Sequence, residues 1–229
     1  CSSDLSENVS MFPSIVMTIY MTVLTLIITT PLGIGCAIYL TEYAKRGNKV
    51  VEVIRLAAET LSGIPSIVYG LFGMLFFVTA LQWKNSILAG SCTLAIMVLP
   101  LIIRSTEEAL KSVPDSYREA SFGLGAGKLR TVVRVVLPPA MPGIVAGVIL
   151  AVGRIVGETA ALIYTAGTVA KITINPMESA RTLAVHMYAL SSEGLHTNEA
   201  FATGVVLLLV VLMLNATSNA IAKRITKGK

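Results

Sequence analysis

Residues 115–138 read Asp-Ser-Tyr-Arg-Glu-Ala-Ser-Phe-Gly-Leu-Gly-Ala-Gly-Lys-Leu-Arg-Thr-Val-Val-Arg-Val-Val-Leu-Pro and lie between two apolar stretches, 87–103 and 141–166. The segment carries Asp115, Arg118, Glu119, Lys128, Arg130 and Arg134. It therefore cannot sit in hydrocarbon, where an ionised side chain costs about 2.5 to 3.5 kcal/mol. Pro114 and Asp115 suit the start of a helix, Pro because an early position needs no N–H and Asp because it faces unpaired N–H groups. Gly123, Gly125 and Gly127 predict its end within about three turns. Leu137-Pro138-Pro139 is expected to stop the following stretch before the membrane. A short helix closed by a glycine-rich turn makes a knob that can move as a rigid body against something outside the bilayer.

Around this knob the composition is that of a membrane protein: 229 residues, 54% hydrophobic and only 14% charged, with mean hydropathy +0.76. A spanning helix needs about 20 apolar residues, and windows of that kind cover 13–40, 63–81, 87–103, 141–166 and 200–221. Of 18 Lys and Arg residues, Lys84, Lys171 and Arg181 fall on one set of loops, Arg154 alone falls inside a span, and the others all fall on the opposite loops. Basic residues accumulate on the cytoplasmic side. The loop 104–138 and the basic tail 223–229 are thus expected in the cytoplasm, and residues 1–11 and 167–199 outside. Five spans with a cytoplasmic C-terminus start outside, so a further N-terminal span is expected to precede Cys1. The chain is then a fragment, or a signal-like helix has been removed before a lipoprotein-like Cys1-Ser2-Ser3 start.

Several chemistries are excluded. The net charge of +5 sits at loop ends, where orientation and anionic headgroups account for it, and no basic stripe interleaved with aromatics suggests nucleic acid. Cys1, Cys36 and Cys92 have no metal-like spacing. His186 and His196 stand ten residues apart without an acidic or thiol partner at ligand spacing, and are expected as solvated loop histidines, not metal ligands. The glycine cluster Gly123 to Lys128, followed by Leu129, lacks the spacing and hydroxyl of a phosphate-binding Gly-x4-Gly-Lys-Ser/Thr loop. No nucleophile and base stand together, so no catalytic residue is assigned and no cofactor is expected on this chain.

The fourth apolar window is the unusual one. Gly143, Gly147 and Ala151, then Gly153, Gly157 and Ala161, repeat every four residues and predict two small-residue stripes for close helix packing. Gly63 and Pro65 open the second window, and Pro65 is the expected hinge there. Arg154 and Glu158, four apart on one helical face, fall in the middle to outer part of the bilayer, counted at about 1.5 Å per residue from Pro142. They either neutralise each other against a partner helix, or Arg154 lines a path and grips an oxyanion with its fork of donors while Glu158 orients it. Arg154, Glu158 and Thr159 are the candidate path residues.

The spacing Glu119-Ala120-Ser121, three residues, Gly125, nine residues, Val135-Val136-Leu137-Pro138 resembles the Glu-Ala-Ala, x3, Gly, x9, Ile-x-Leu-Pro loop of ABC importer permeases, with Ser121 for the second Ala and Val135 for Ile. The runs 63–73, Gly-Ile-Pro-Ser-Ile-Val-Tyr-Gly-Leu-Phe-Gly, and 153–167 resemble the phosphate-specific branch of that family, the PstA type. The resemblance covers residues 12–229. It implies an all-α polytopic fold, the type I ABC importer permease bundle, with a permease domain over 12–222 in the bacterial plasma membrane. It implies that Glu119, Ala120, Ser121, Gly125, Leu137 and Pro138 belong to a coupling loop docking into an ATPase cleft. The implied partners are a second permease subunit (PstC type), an ATPase dimer (PstB type) carrying ATP and Mg, an external phosphate-binding protein (PstS type) and membrane lipid. The alternatives are a permease for another oxyanion, such as molybdate, sulfate or phosphonate, and an ion-coupled secondary transporter using Glu158.

Overall fold

The computed structural model describes residues 10–44, 47–193 and 197–227. Most of the segment expected outside at 1–11, including Cys1, lies beyond these residues, as do Lys45, Arg46, His196 and Lys229 and the side chains of the rest of the basic tail. The regular elements among the described residues are all helices. Helix α1 (Phe12–Ile38) runs on into a wide π turn at Tyr39–Tyr43; α2 is Lys49–Ser62; α3 (Ser66–Gly73) continues through a second wide turn at Met74–Ala80. Then come α4 (Ile87–Lys111), the short α5 (Asp115–Gly123), and α6 (Lys128–Thr131), which passes through a third wide turn at Val132–Val136 into α7 (Leu137–Val156). Helices α8 (Ala160–Thr165), α9 (Leu183–Glu193) and α10 (Thr197–Lys227) complete the order.

Four of these helices, Phe12–Tyr43, Ile87–Lys111, Lys128–Val156 and Thr197–Thr217, are long and apolar enough to cross a membrane, and the bent pair Lys49–Ser62 plus Ser66–Ala80 makes a fifth if counted as one span. Two expected boundaries move. The second span is not an unbroken helix over 63–81: Ser66–Ala80 is about 22 Å long against a hydrocarbon core of about 30 Å, because Pro65 takes the position before the first helical residue with ψ 143° and breaks the helix there. The fourth begins at Lys128, not near Met141, and is interrupted after Val156. Pro31 and Pro100 lie inside α1 and α4 without ending them, as neighbouring groups in a membrane helix permit.

Two compact units alternate along the chain. The first comprises 1–28, 64–98 and 152–215. In it α3 and α8 meet almost backbone to backbone: a Cβ on Gly70 would stand 2.8 Å from Ala161 Cα. The first amides of α4 find carbonyl partners outside their helix, Ile87 N–H donating to Glu178 O at 2.9 Å and Leu88 N–H to Pro176 O at 2.8 Å, which satisfies donors a helix start leaves orphaned. Thr18 of α1 donates to Ser14 O (2.6 Å) and accepts from the amide of Leu183 (2.8 Å). Within the stretch 167–199, residues 168–177 are irregular and mostly exposed, but residues 180–186 are buried. Ala180, Leu183, Ala184, Val185 and Leu190 are core residues, and His186, expected in solvent, is fully buried. The reason is its company: the apolar run of α9 carries the imidazole in with it.

The second unit comprises 29–63, 99–151 and 216–229. Leu110, Val113, Val136, Ala140 and Ile144 form one apolar cluster with Ile34 and Ile38 packed on it; Ala37, Leu40, Val51 and Ile103 form another. Lipid tails are as apolar as leucine, so close packing, more than removal from water, holds such helices together. Gly143 and Gly147 supply it, since a Cβ on either would come within 2.7 Å of Ala109 Cβ or 2.5 Å of Ser105 Cβ on α4.

Candidate functional site

The knob belongs to the second unit. Helix α5 follows Pro114, carries Asp115 in its first turn and ends at Gly123; an acidic group there complements the positive end of the helix dipole. Gly125 has φ +80°, a left-handed conformation that glycine adopts without steric cost. The turn is closed by Gly125 N–H to Phe122 O at 2.9 Å and Ala126 N–H to Ser121 O at 3.1 Å. Ser121 turns inward and shares a 2.8 Å hydrogen bond with the Thr131 hydroxyl, so the small hydroxyl residue stitches α5 to α6. Glu119 and Ala120 are exposed, and Glu119 makes no ion pair among the described residues. Around them stand Tyr117, Phe122, Leu129 and Leu124, the last 90% exposed. The tip of the knob thus gathers exposed apolar side chains beside an exposed carboxylate.

The expected stop at Leu137-Pro138-Pro139 is absent: Lys128–Val156 is one continuous helix. Prolines 138 and 139 lack the N–H groups that would bond to the Arg134 and Val135 carbonyls. The wide turn at Val132–Val136, closed by Leu137 N–H to Val132 O, inserts a residue at this point and takes up the mismatch. Leu137 and Pro138 are half-buried and belong to the stem of the hairpin, whereas Glu119, Ala120 and Gly125 belong to its tip.

Sequence reasoning missed what fastens the knob. Arg118 points inward to Glu42, 76 residues away, in a 2.7 Å ion pair. The Glu42 hydrogen bond holds the Arg118 guanidinium in its protonated form against the effect of burial. Arg55 and Lys111 both reach Glu107, at 3.2 and 2.7 Å. Only the Glu107–Lys111 spacing of four residues was readable from the chain.

The break after the fourth span, at residues 157–159, belongs to the first unit. Helix α7 stops at Val156 and α8 starts at Ala160. Arg154 and Glu158 therefore do not share a helical face, and no ion pair joins them among the described residues. Gly157 weakens the helix, and the buried Glu158 carboxylate accepts the Ala161 amide at 3.1 Å, capping α8 instead. Thr159 occupies the residue before α8 and gives it no side-chain cap. Arg154 is half-buried. Of the second small-residue stripe only Ala161 packs, against Gly70; among the described residues a Cβ on Gly153 would meet nothing within 4 Å, and one on Gly157 only Gly153 O. Among the described residues no three His, Cys, Asp or Glu side chains gather as a metal site would require.

Membrane-length helices interrupted by an exposed polar knob make the frame of a transport permease, and the chain belongs to the family of inner membrane components of binding-protein-dependent transport systems, matched over residues 29–228. It is 39% identical to the probable ABC transporter permease protein YqgI of Bacillus subtilis (strain 168), over 91% of this chain and 76% of that one. It is 36% identical to the phosphate transport system permease protein PstA of Yersinia pestis, over 85% and 66%. With PstA 1 of Mycobacterium tuberculosis (strain ATCC 25618 / H37Rv) it shares 40% identity over 62% of this chain, which spans 45% of that relative. Among solved structures, the inward-facing MetNI methionine ABC transporter aligns over 94% of both chains with TM-score 0.72 and 20% identity. A bacterial alginate ABC transporter in complex with its pentasaccharide-bound periplasmic protein aligns over 94% and 79%, with TM-score 0.73 and 18% identity. These likenesses show the fold. The chain is a multi-pass inner-membrane permease component and not a catalytic subunit.

Proposed function

We propose that this chain is one of two permease subunits of an ATP-driven importer of inorganic phosphate, and that the α5 knob couples it to a separate ATPase in the cytoplasm. The observation that carries the coupling reading is the build of the knob: Tyr117, Phe122, Leu124 and Leu129 stand exposed around Glu119, which has no ion pair among the described residues, on a helix whose inward side is fastened through Ser121 and Arg118. A solvated turn has no use for that much exposed apolar surface. ATP and Mg are carried by the partner, whose closure pulls the knob and turns the path from one side of the membrane to the other. A second permease, of the PstC type, and an external phosphate-binding protein, of the PstS type, complete the assembly. The C-terminus lies in the cytoplasm, where the basic loop residues accumulate.

Phosphate is favoured over other oxyanions by the similarity to the PstA proteins, which extends over 85% of the chain in the Yersinia pestis case. Arg154, half-buried and without a carboxylate partner among the described residues, retains its charge for an anion in the path. Glu158 is committed to the first turn of α8, which argues against its use as the proton site of a secondary transporter. The test is co-purification of the subunit with its ATPase and phosphate uptake in cells, comparing the native knob with Glu119→Lys and Gly125→Asp. Loss of complex and uptake with normal membrane insertion is the expected result. Retention of both would make the knob a surface turn and remove the coupling reading.

A further inference from the structure

Three contacts from the polar hairpin and from α2 converge on one feature, the wide turn Tyr39–Tyr43 that ends α1. Arg118 of α5 places Nη2 2.7 Å from Glu42 Oε1 and Nε 3.2 and 3.3 Å from Oε1 and Oε2. Lys128, the first residue of α6, puts its Nζ 5.0 Å from the centre of the Tyr43 ring, within range of a cation–π attraction. Arg55 of α2 donates to Leu40 O at 3.4 Å. Both limbs of the hairpin are therefore tied to the end of the first membrane helix.

Arg118 does more than pair. Its Nη1 donates to Val113 O at 2.8 Å and to Asp115 Oδ1 at 3.2 Å, and its Nη2 to Leu110 O at 2.9 Å. Those carbonyls lie at the C-terminal end of α4 and the link after it, where a helix leaves acceptors unsatisfied. A single guanidinium thus joins the ends of α1 and α4 to the knob, using the planar five-donor fork that lysine lacks. The side chains of Arg118 and Glu42 are only 15% and 8% exposed, so the pair is screened far less than a surface ion pair. Beside it opens a cleft of about 720 Å³, lined among others by Glu42, Asn48, Arg55, Lys111, Asp115 and Arg118. Space next to a fastened joint lets the joined elements move together without first expelling packed side chains.

We infer that Arg118 and Glu42 are the positioning pair through which displacement of the knob reaches α1, with the Tyr39–Tyr43 turn as the receiving element. Neither residue touches the ATPase or the transported anion; each acts by making the knob and the membrane helices move as one body. The inference rests on the coupling reading above. Without the pair, the knob hangs on the Ser112–Pro114 link and the glycine turn, and part of its travel is lost in bending them.

The experiment uses the complete transporter in proteoliposomes: this subunit, the second permease, the ATPase and the phosphate-loaded binding protein. The quantity read is inorganic phosphate moved per ATP hydrolysed, with co-purification of the ATPase measured in parallel. Arg118→Gln, Glu42→Gln, the double variant and Arg118→Lys are compared. The expected result is that each Gln variant keeps its ATPase and loses about tenfold in phosphate moved per ATP, that the double variant is no worse than the poorer single one, and that Arg118→Lys falls between. An unchanged ratio in the single variants would overturn the inference, as would losses that multiply in the double. Failure of all four variants to assemble would overturn it too, because the pair would then be only structural. Glu119→Lys and Gly125→Asp separate the two readings: if they abolish coupling while the Arg118 and Glu42 variants do not, only this inference fails. If they leave coupling intact, the coupling reading falls with it.

Discussion

Replacing Gly147 by Ala tests the closest approach in the second unit. The added Cβ would stand 2.5 Å from Ser105 Cβ, and Ser105 Cα is only 3.9 Å away, so rotating the hydroxyl does not relieve the clash. Ordinary carbon contacts lie near 3.5 to 4.0 Å, so α7 and α4 must separate by about 1 Å. Overpacking of this kind costs about 1 to 3 kcal/mol, while replacing a mid-helix glycine returns about 0.5 to 1 kcal/mol. The net expectation is a loss of up to about 2.5 kcal/mol with a midpoint of about 1.2, a factor of roughly 8 in the folded to unfolded ratio at that midpoint. Unfolding of the detergent-solubilised subunit by SDS titration reads it directly. Ser105→Gly in the Gly147→Ala background removes the opposing carbon, and the double variant should recover at least about 1 kcal/mol relative to additivity. Gly153→Ala is the control: with nothing within 4 Å of the new carbon, the isolated subunit should be unchanged or up to about 1 kcal/mol more stable. Equal destabilisation by both alanines, or no recovery with Ser105→Gly, would refute the close-packing explanation.

Three further outcomes are expected. Glu158→Gln keeps an oxygen to accept the Ala161 amide and should leave subunit stability close to native, whereas Glu158→Ala should cost about 0.5 to 2 kcal/mol by the same SDS titration, in line with losing an N-terminal cap. Arg154→Gln should abolish phosphate uptake without changing co-purification with the ATPase; normal uptake would take Arg154 out of the path. Glu178 accepts from Lys171 at 3.1 Å, and that bond, with Thr173 next, holds its carboxyl below the ordinary carboxylate range. By linkage, the tie is present above the usual carboxylate value of about 4.3 and is lost only as pH falls through the depressed one. The carboxyl carbon resonance of labelled Glu178 should therefore titrate at lower pH than in Lys171→Gln.

The all-α membrane fold was legible because 20-residue apolar windows and the bias of basic residues are strong signals that need no tertiary context. The knob was legible too, since proline, aspartate and spaced glycines act through local backbone geometry. The misleading signal was periodicity carried across a break. Arg154 and Glu158 are four apart in sequence, but Gly157 interrupts the helix between them and Glu158 turns to cap α8. The run Leu137-Pro138-Pro139 looked like a stop because its local chemistry opposes a helix, and only the preceding wide turn accommodates it. Arg118–Glu42 was invisible for another reason: no local pattern links residues 76 positions apart. His186 was placed in solvent because its neighbours were counted as loop, although Leu183, Ala184 and Val185 already formed an apolar run.

The three wide turns make this chain sensitive to insertion and deletion in an unusual way. Each turn, such as Val132–Val136, holds one residue more than an α turn. Excising a single codon there is expected to convert the wide turn to an ordinary α turn and leave the faces downstream nearly unchanged, whereas the same excision from a regular α turn before Gly143 rotates everything downstream by about 100°. The latter change acts as a twist about the helix axis and not as a break, sending Gly143 and Gly147 away from α4 and bringing other side chains into their place. Two permeases aligned residue by residue across a wide turn, when only one possesses it, would be compared on different faces of the same helix.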